Sequence, residues 1–180
     1  MEIELKFPLM NHNEVFKKLL ESISQPVVNN QKDTYYNHPS RDFLSAKPVI
    51  EWLRIRETPR GCSINYKNWH DPKGEGIYCD EYETKISDSK VVEDILISLG
   101  FTKIVVVNKS RSSWLIDGVE LSIDNVQGLG FFIEVEAKKD FGSVEEAKKH
   151  LLLLLKSVGA NLGKQDFRGY PMMLIENDKS

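Results

Sequence analysis

The chain has 180 residues, 41% of them hydrophobic and 28% charged, a balance that suits one folded domain and excludes a disordered or fibrous chain. A formal net charge of −3 gives no reason for electrostatic capture by nucleic acid or an anionic membrane, so function has to rest on local charge. The apolar run Leu151–Leu155 is too short to span a bilayer, and the charged opening residues are no signal peptide, which points to the cytoplasm.

Met1 to Phe7 alternates as a strand, with Glu2, Glu4 and Lys6 on one face and Ile3, Leu5 and Phe7 on the other. Asn11 to Ser24 has the spacing of an amphipathic helix, capped by Asn11 or Asn13 and ended by Pro26. Val27 to Asn37 is extended and closes on Asp33-Thr34-Tyr35-Tyr36-Asn37, ahead of a loop carrying Pro39, Arg41, Asp42 and Pro48. Val49 to Glu57 sets Arg54 and Arg56 opposite Leu53 and Ile55. Pro59-Arg60-Gly61 then turns it into Cys62 to Asn68, which has Ile64 and Tyr66 on one side and Ser63, Asn65 and Lys67 on the other. Trp69 to Gly76 reads as a polar loop, and Ile77 to Ile86 puts Glu81, Glu83 and Lys85 on one face.

A second helix, capped by Ser87 or Asp88, carries a stripe of Val91, Val92, Ile95, Leu96 and Leu99 and stops at Gly100. Phe101 to Trp114 is a long strand with Lys109 and Arg111 on one face, and Asp117-Gly118 is a tight hairpin turn. Glu120, Ser122 and Asp124 then oppose Leu121 and Ile123, and beyond Gly128-Leu129-Gly130 the strand Phe131 to Lys138 aims Glu134, Glu136 and Lys138 away from Ile133 and Val135. A third helix, Ser143 to Val158, buries the leucine run, and a short helix lies within Gln165 to Glu176. Cys62 and Cys79 have no paired spacing, which fits a reducing compartment and no structural zinc; the four histidines are scattered singly.

Seven or eight strands therefore share a pattern of one apolar and one charged face. One architecture is a sheet with helices on one side and a solvated charged face on the other. The other is a barrel whose charged faces point inward, and the repeated Glu-x-Glu and Arg-x-Arg pairs favour it. Its basic set is Lys6, Arg54, Arg56, Lys67, Lys85, Lys109 and Arg111; its acidic set is Glu2, Glu4, Glu81, Glu83, Glu120, Asp124, Glu134 and Glu136. A polyphosphate with a divalent cation satisfies both signs, since guanidinium and ammonium groups take phosphate oxygens and clustered carboxylates take hard ions. A Glu-x-Glu on a strand aims two carboxylates the same way, about 6–7 Å apart.

The opening Glu2-Ile3-Glu4-Leu5-Lys6 resembles the ExExK signature of the CYTH superfamily, the triphosphate tunnel metalloenzymes. Asp33-Thr34-Tyr35-Tyr36, Leu53-Arg54-Ile55-Arg56, Tyr66-Lys67, Glu81-x-Glu83, Lys109-x-Arg111, Asp124, Gly128-Leu129-Gly130 and Glu134-x-Glu136 follow in the family's order. The tail Arg168-Gly169-Tyr170-Pro171-Met172-Met173-Leu174 is similar to that of the class IV adenylate cyclase-like branch. The resemblance implies an α+β fold over residues 1–180: a closed eight-stranded antiparallel β-barrel, or tunnel, with helices packed on the outside. It implies Mg²⁺ or Mn²⁺ at Glu2, Glu4, Asp124, Glu134 and Glu136, and substrate phosphates at Lys6, Arg54, Arg56, Lys67, Lys109 and Arg111. Glu2, Glu4, Lys6 and Glu136 form its catalytic set, and Glu81, Glu83 and Lys85 serve either the site or structural pairing. Two departures stand out, Cys79 where many relatives carry a basic residue and Gly169 in place of serine.

The implied activity is that of a class IV adenylate cyclase, converting ATP to cyclic AMP and pyrophosphate. The alternative is a triphosphatase acting on inorganic triphosphate, thiamine triphosphate or a nucleoside triphosphate. A non-catalytic phosphate-ligand binding module would need fewer carboxylates. The expected partner is the small-molecule triphosphate, not nucleic acid or membrane, with a second copy of the chain as a further candidate.

Overall fold

The computed structural model describes residues 2–70, 78–165 and 168–178, with the backbone alone at Glu2 and Tyr78. Among the described residues are eight strands, β1 (Glu2–Pro8), β2 (Val27–Asn37), β3 (Glu51–Thr58), β4 (Gly61–His70), β5 (Tyr78–Ile86), β6 (Thr102–Ile116), β7 (Val119–Val126) and β8 (Gly130–Ala137). Four α-helices accompany them: α1 (His12–Ser22), α2 (Ser89–Ser98), α3 (Val144–Ser157) and α4 (Gly169–Asn177). The class is α+β, with antiparallel pairing throughout the strand pairs detailed below.

The chain divides into two compact units, and the first comprises residues 30–109 with 168–178. Its strands pair in the order β5, β4, β3, β2, with Arg54 between Tyr35 and Asn65, and Arg56 between Asp33 and Ser63. The alternate residues Tyr36, Leu53, Tyr66 and Tyr82 fall on the other face by the same register. Leu96 of α2 packs against Tyr36 and Ile55 on that face, with Ile64 and Ile86 beside them.

The second unit comprises residues 2–29 and 110–165. Here β8 lies between β1 and β7, so that Val135 faces Leu5 and Leu121, and Ile133 faces Phe7 and Ile123. Val15 and Leu19 of α1 and Leu151 and Leu155 of α3 cover these residues and form one core with them. Each such buried aliphatic side chain contributes roughly 1.5–3 kcal/mol. The helices thus take the apolar strand face and leave the charged face to the other side.

Local chemistry accounts for most boundaries. Asp117 (φ 50°) and Gly118 (φ 82°) both take the left-handed conformation required by a two-residue hairpin loop, joining β6 to β7. Asp88 caps α2 by accepting from the backbone N–H of Lys90 and Val91, and Ser143 caps α3 through Glu146. Asn11 precedes α1 without capping it; its side chain donates to Glu14 and to the Gly159 carbonyl and accepts from the Asn161 N–H.

Several expectations need correcting. Trp69 and His70 belong to β4, not to a loop, because the ladder continues opposite Cys79 and Tyr78. The rest of that expected loop, residues 71–76, and the start of the next strand at Ile77 lie outside the described residues. The α2 stripe is mostly exposed: Leu96 is buried, whereas Val91, Ile95 and Leu99 face solvent. The leucine run is split in the same way, with Leu151 and Leu155 buried and Leu152 and Leu153 exposed, as the helical repeat dictates.

Candidate functional site

The polar face of the first unit is built around Asp33, which is 1% exposed. Arg56 donates side-on to it, Nε to Oδ1 at 2.7 Å and Nη2 to Oδ2 at 2.7 Å. Arg54 approaches end-on, its Nη1 lying 3.3 Å from Asp33 Oδ2 and 3.4 Å from the Tyr35 hydroxyl. Burial pushes the Asp33 carboxyl up, but Arg54 and Arg56 outweigh it and hold the group well below the usual range. Burial also raises the Tyr35 hydroxyl, so it stays protonated.

Further along this face Lys67 Nζ lies 3.7 Å from Glu81 and 5.6 Å from the centre of the Trp69 ring, and Asn65 donates to Glu81. Lys109 is buried with its Nζ 5.1 Å from the centre of the Tyr170 ring on α4, a cation–π arrangement. Glu83 accepts from Ser63 and Lys85 lies opposite Ser63; both are exposed, at the margin of the cluster.

The second unit inverts the charges. Glu136 stands between Glu4 and Glu120, and Glu134 stands between Lys6 and Ser122. Directly opposed like charges destabilise a sheet unless something neutralises them. Lys138 lies 2.5 Å from Glu136 and 3.8 Å from Glu120. Even so, burial raises the pKa of Glu136, Lys138 lowers it, and the carboxylates of Glu134 and Glu4 raise it further. Arg111 spans Asp124, with Nε and Nη2 each 2.7 Å from a carboxylate oxygen, and its Nη2 also lies 2.7 Å from Glu134. Both oxygens of Asp124 are therefore engaged by one guanidinium.

Glu2 opens β1, but its side chain lies outside the described residues. Among the described residues no three His, Cys, Asp or Glu side chains are already gathered as a metal-ligand group. The expected residues fall into two mixed groups: Arg54, Arg56, Lys67 and Lys109 predominate in the first unit with Glu81 among them, and Glu4, Asp124, Glu134 and Glu136 predominate in the second with Lys6 and Arg111. Asp33, Tyr35, Asn65 and Tyr170 join these clusters without being among the residues expected there. The signal for Asp33 was available, since β2 alternation puts it on one face with Gln31 and Tyr35, where an isolated acid needs a basic partner.

A family model for the CYTH domain matches residues 1–170. The chain belongs to the CYTH-domain family. A provisionally named adenylate cyclase of Methanocaldococcus jannaschii is 29% identical over 170 residues, covering 92% of this chain and 93% of that one. The PH1819 protein of Pyrococcus horikoshii superposes with a TM-score of 0.81 at 30% identity, covering 98% and 99% of the two chains. A Hippeastrum protein named for adenylyl cyclase, in which triphosphatase activity is dominant, shares the fold at 18% identity with a TM-score of 0.66, covering 99% and 96%.

Proposed function

We propose that this CYTH domain is a metal-dependent enzyme acting on a triphosphate, in the manner of a class IV adenylate cyclase, and that its strands close into one tunnel lined by the polar faces. The observation that carries the reading is the opposite charge of those faces. A metal-complexed polyphosphate is complementary to both: its oxygens suit the cations around Asp33, and its divalent ion suits the row of opposed carboxylates. The cyclase name of the M. jannaschii relative supports the same reaction.

The acidic row fits a hard divalent cation such as Mg²⁺ or Mn²⁺, because its donors are carboxylate oxygens and burial, with a smaller contribution from Glu134 and Glu4, disfavours Glu136 as an anion. Glu4, Glu134 and Glu136 would hold it, together with Glu2. When bound, the ion supplies charge neutralisation and lowers the pKa of a coordinated hydroxyl. Arg54, Arg56, Lys67, Lys109 and Lys6 bind and orient the phosphate chain, and Arg111 fixes Asp124 and Glu134. With ATP so held, the 3′-oxygen attacks the α-phosphorus while the bond to the bridging oxygen breaks. The electron pair leaves on pyrophosphate and the hydroxyl proton passes to water.

The same residues serve a triphosphatase in which water replaces the 3′-hydroxyl, and the dominant activity of the Hippeastrum protein keeps that second reading in view. No helix among the described residues is long and apolar enough to cross a membrane. Incubation with Mg²⁺ or Mn²⁺ and either ATP or tripolyphosphate decides between the two activities. Cyclic AMP with pyrophosphate is the expected outcome, and orthophosphate alone replaces the cyclase by the triphosphatase. Tight binding without turnover of either substrate overturns both in favour of a binding module.

A further inference from the structure

We infer that Asp33, which makes no contact with substrate in this scheme, is the positioning residue that sets which edge of each arginine the phosphate meets. The inference rests on the triphosphate reading of the polar face. Two guanidiniums share this one carboxylate, and they use it differently. Arg56 commits its Nε and Nη2 edge to Asp33, both at 2.7 Å. Arg54 reaches the same carboxylate through Nη1, which also faces the Tyr35 hydroxyl. Arg54 Nε is sealed from solvent and has no hydrogen-bond partner among the described residues.

That arrangement is under-satisfied in two respects. Among the described residues Asp33 is the one carboxylate that both guanidiniums contact, Lys109 adds to the positive field there, and Glu81 acts on Arg54 only through its field. One buried donor is also unused, which a well-packed interior normally avoids. A side-on guanidinium edge matches two oxygens of a phosphate. The Nε-bearing edge that Arg56 gives to Asp33 is the edge Arg54 leaves over. Asp33 thus tethers Arg56 and holds Arg54 by its far end, so that an oxyanion drawing Arg54 toward it gains the remaining fork.

The bland alternative is that Asp33 is only a counterion for buried arginines. The two accounts differ in sign. Removing a negative charge beside an anion site should tighten anion binding if Asp33 acts only through its field. If it positions the arginines, the loss should weaken binding, by about ten- to hundredfold.

Isothermal titration of the full chain with tripolyphosphate, without divalent metal, reads this directly. Asp33→Asn is expected to bind more weakly than the wild type, and to add little to the loss already caused by Arg54→Lys. Equal or tighter binding by folded Asp33→Asn overturns the positioning role. If Asp33→Asn does not fold, the double variant Asp33→Asn with Arg56→Gln removes the buried pair without changing net charge. It is expected to bind more weakly than Arg56→Gln alone; equality overturns the inference. A wild type that fails to bind tripolyphosphate sinks the triphosphate reading itself, an outcome distinct from either result above.

Discussion

In the first unit one buried carboxylate, Asp33, is shared by two guanidiniums, Arg54 and Arg56; in the second, one guanidinium, Arg111, is shared by two carboxylates, Asp124 and Glu134. The two clusters are mirror images in charge. Around each central group, charges of the opposite sign predominate among the described residues: Lys67 and Lys109 in the first unit, Glu4, Glu136 and Glu120 in the second. On the proposed triphosphate reading, the cations of the first unit answer to phosphate oxygens and the carboxylates of the second to a divalent ion.

The sharpest way to break this comparison is to neutralise one member of the acidic row. Glu4→Gln keeps the shape of the side chain and is expected to lower metal-dependent turnover about a thousandfold while the protein stays folded. Turnover within tenfold of the wild type, with unchanged circular dichroism, removes Glu4 from the metal side. Arg111 tests the central group. Arg111→Gln removes the guanidinium that lies 2.7 Å from both buried carboxylates, Asp124 and Glu134, and a loss of roughly 3–5 kcal/mol in urea unfolding is expected. A loss below about 1 kcal/mol, the scale of an exposed pair, would mean that the two acids find other partners.

A cationic residue outside the Asp33 pair should behave differently from both. Lys109→Met keeps the length of the stem but loses the charge over Tyr170, and is expected to weaken tripolyphosphate binding about tenfold. The affinity for Mn²⁺, followed by electron paramagnetic resonance, should stay the same. A change in Mn²⁺ affinity without a change in tripolyphosphate affinity would place Lys109 on the wrong side of the division.

How much of this was legible before any coordinates depends on how far each feature reaches along the chain. Strand alternation is local, so the charged faces of β1, β3, β7 and β8 and the Asp117-Gly118 turn could be read from neighbours one or two residues away. The contents of each cluster could not. Arg111 and Asp124 meet across a hairpin whose turn was visible, but Arg56 meets Asp33 across the long loop after β2, and only the register sets that pair. Helical stripes misled for a related reason. Val91, Ile95 and Leu99 repeat with the right period, yet periodicity reports which residues share a face, not whether a neighbour covers it. The tail pattern predicts a helix, but the placing of Lys109 over the Tyr170 ring follows only from the fold.

The smallest expected effect distinguishes the units by the pH at which each loses stability. Asp33 has a folded pKa below that of the unfolded chain, so on acidification the unfolded state takes up its proton first. Its contribution is complete above the ordinary aspartate range and is lost as pH falls from there toward the depressed value. Glu136 runs the other way, because its folded pKa is raised. Above the ordinary glutamate range the unfolded chain has lost a proton that the native state still holds, so stability declines as pH rises through the raised value. Glu136→Gln should therefore flatten the decline on the alkaline side of that range and leave the acid limb intact, whereas Asp33→Asn should flatten the acid limb alone. Because Lys138 and partial exposure screen Glu136, the change in its urea midpoint is expected to be slight. Saturating Mg²⁺ should reproduce it in the wild type, since a cation at the row removes the penalty on the ionised form. If Glu136→Gln keeps the wild-type slope with and without Mg²⁺, the carboxylates of β1 and β8 are already balanced, and the contrast between the units is one of composition only.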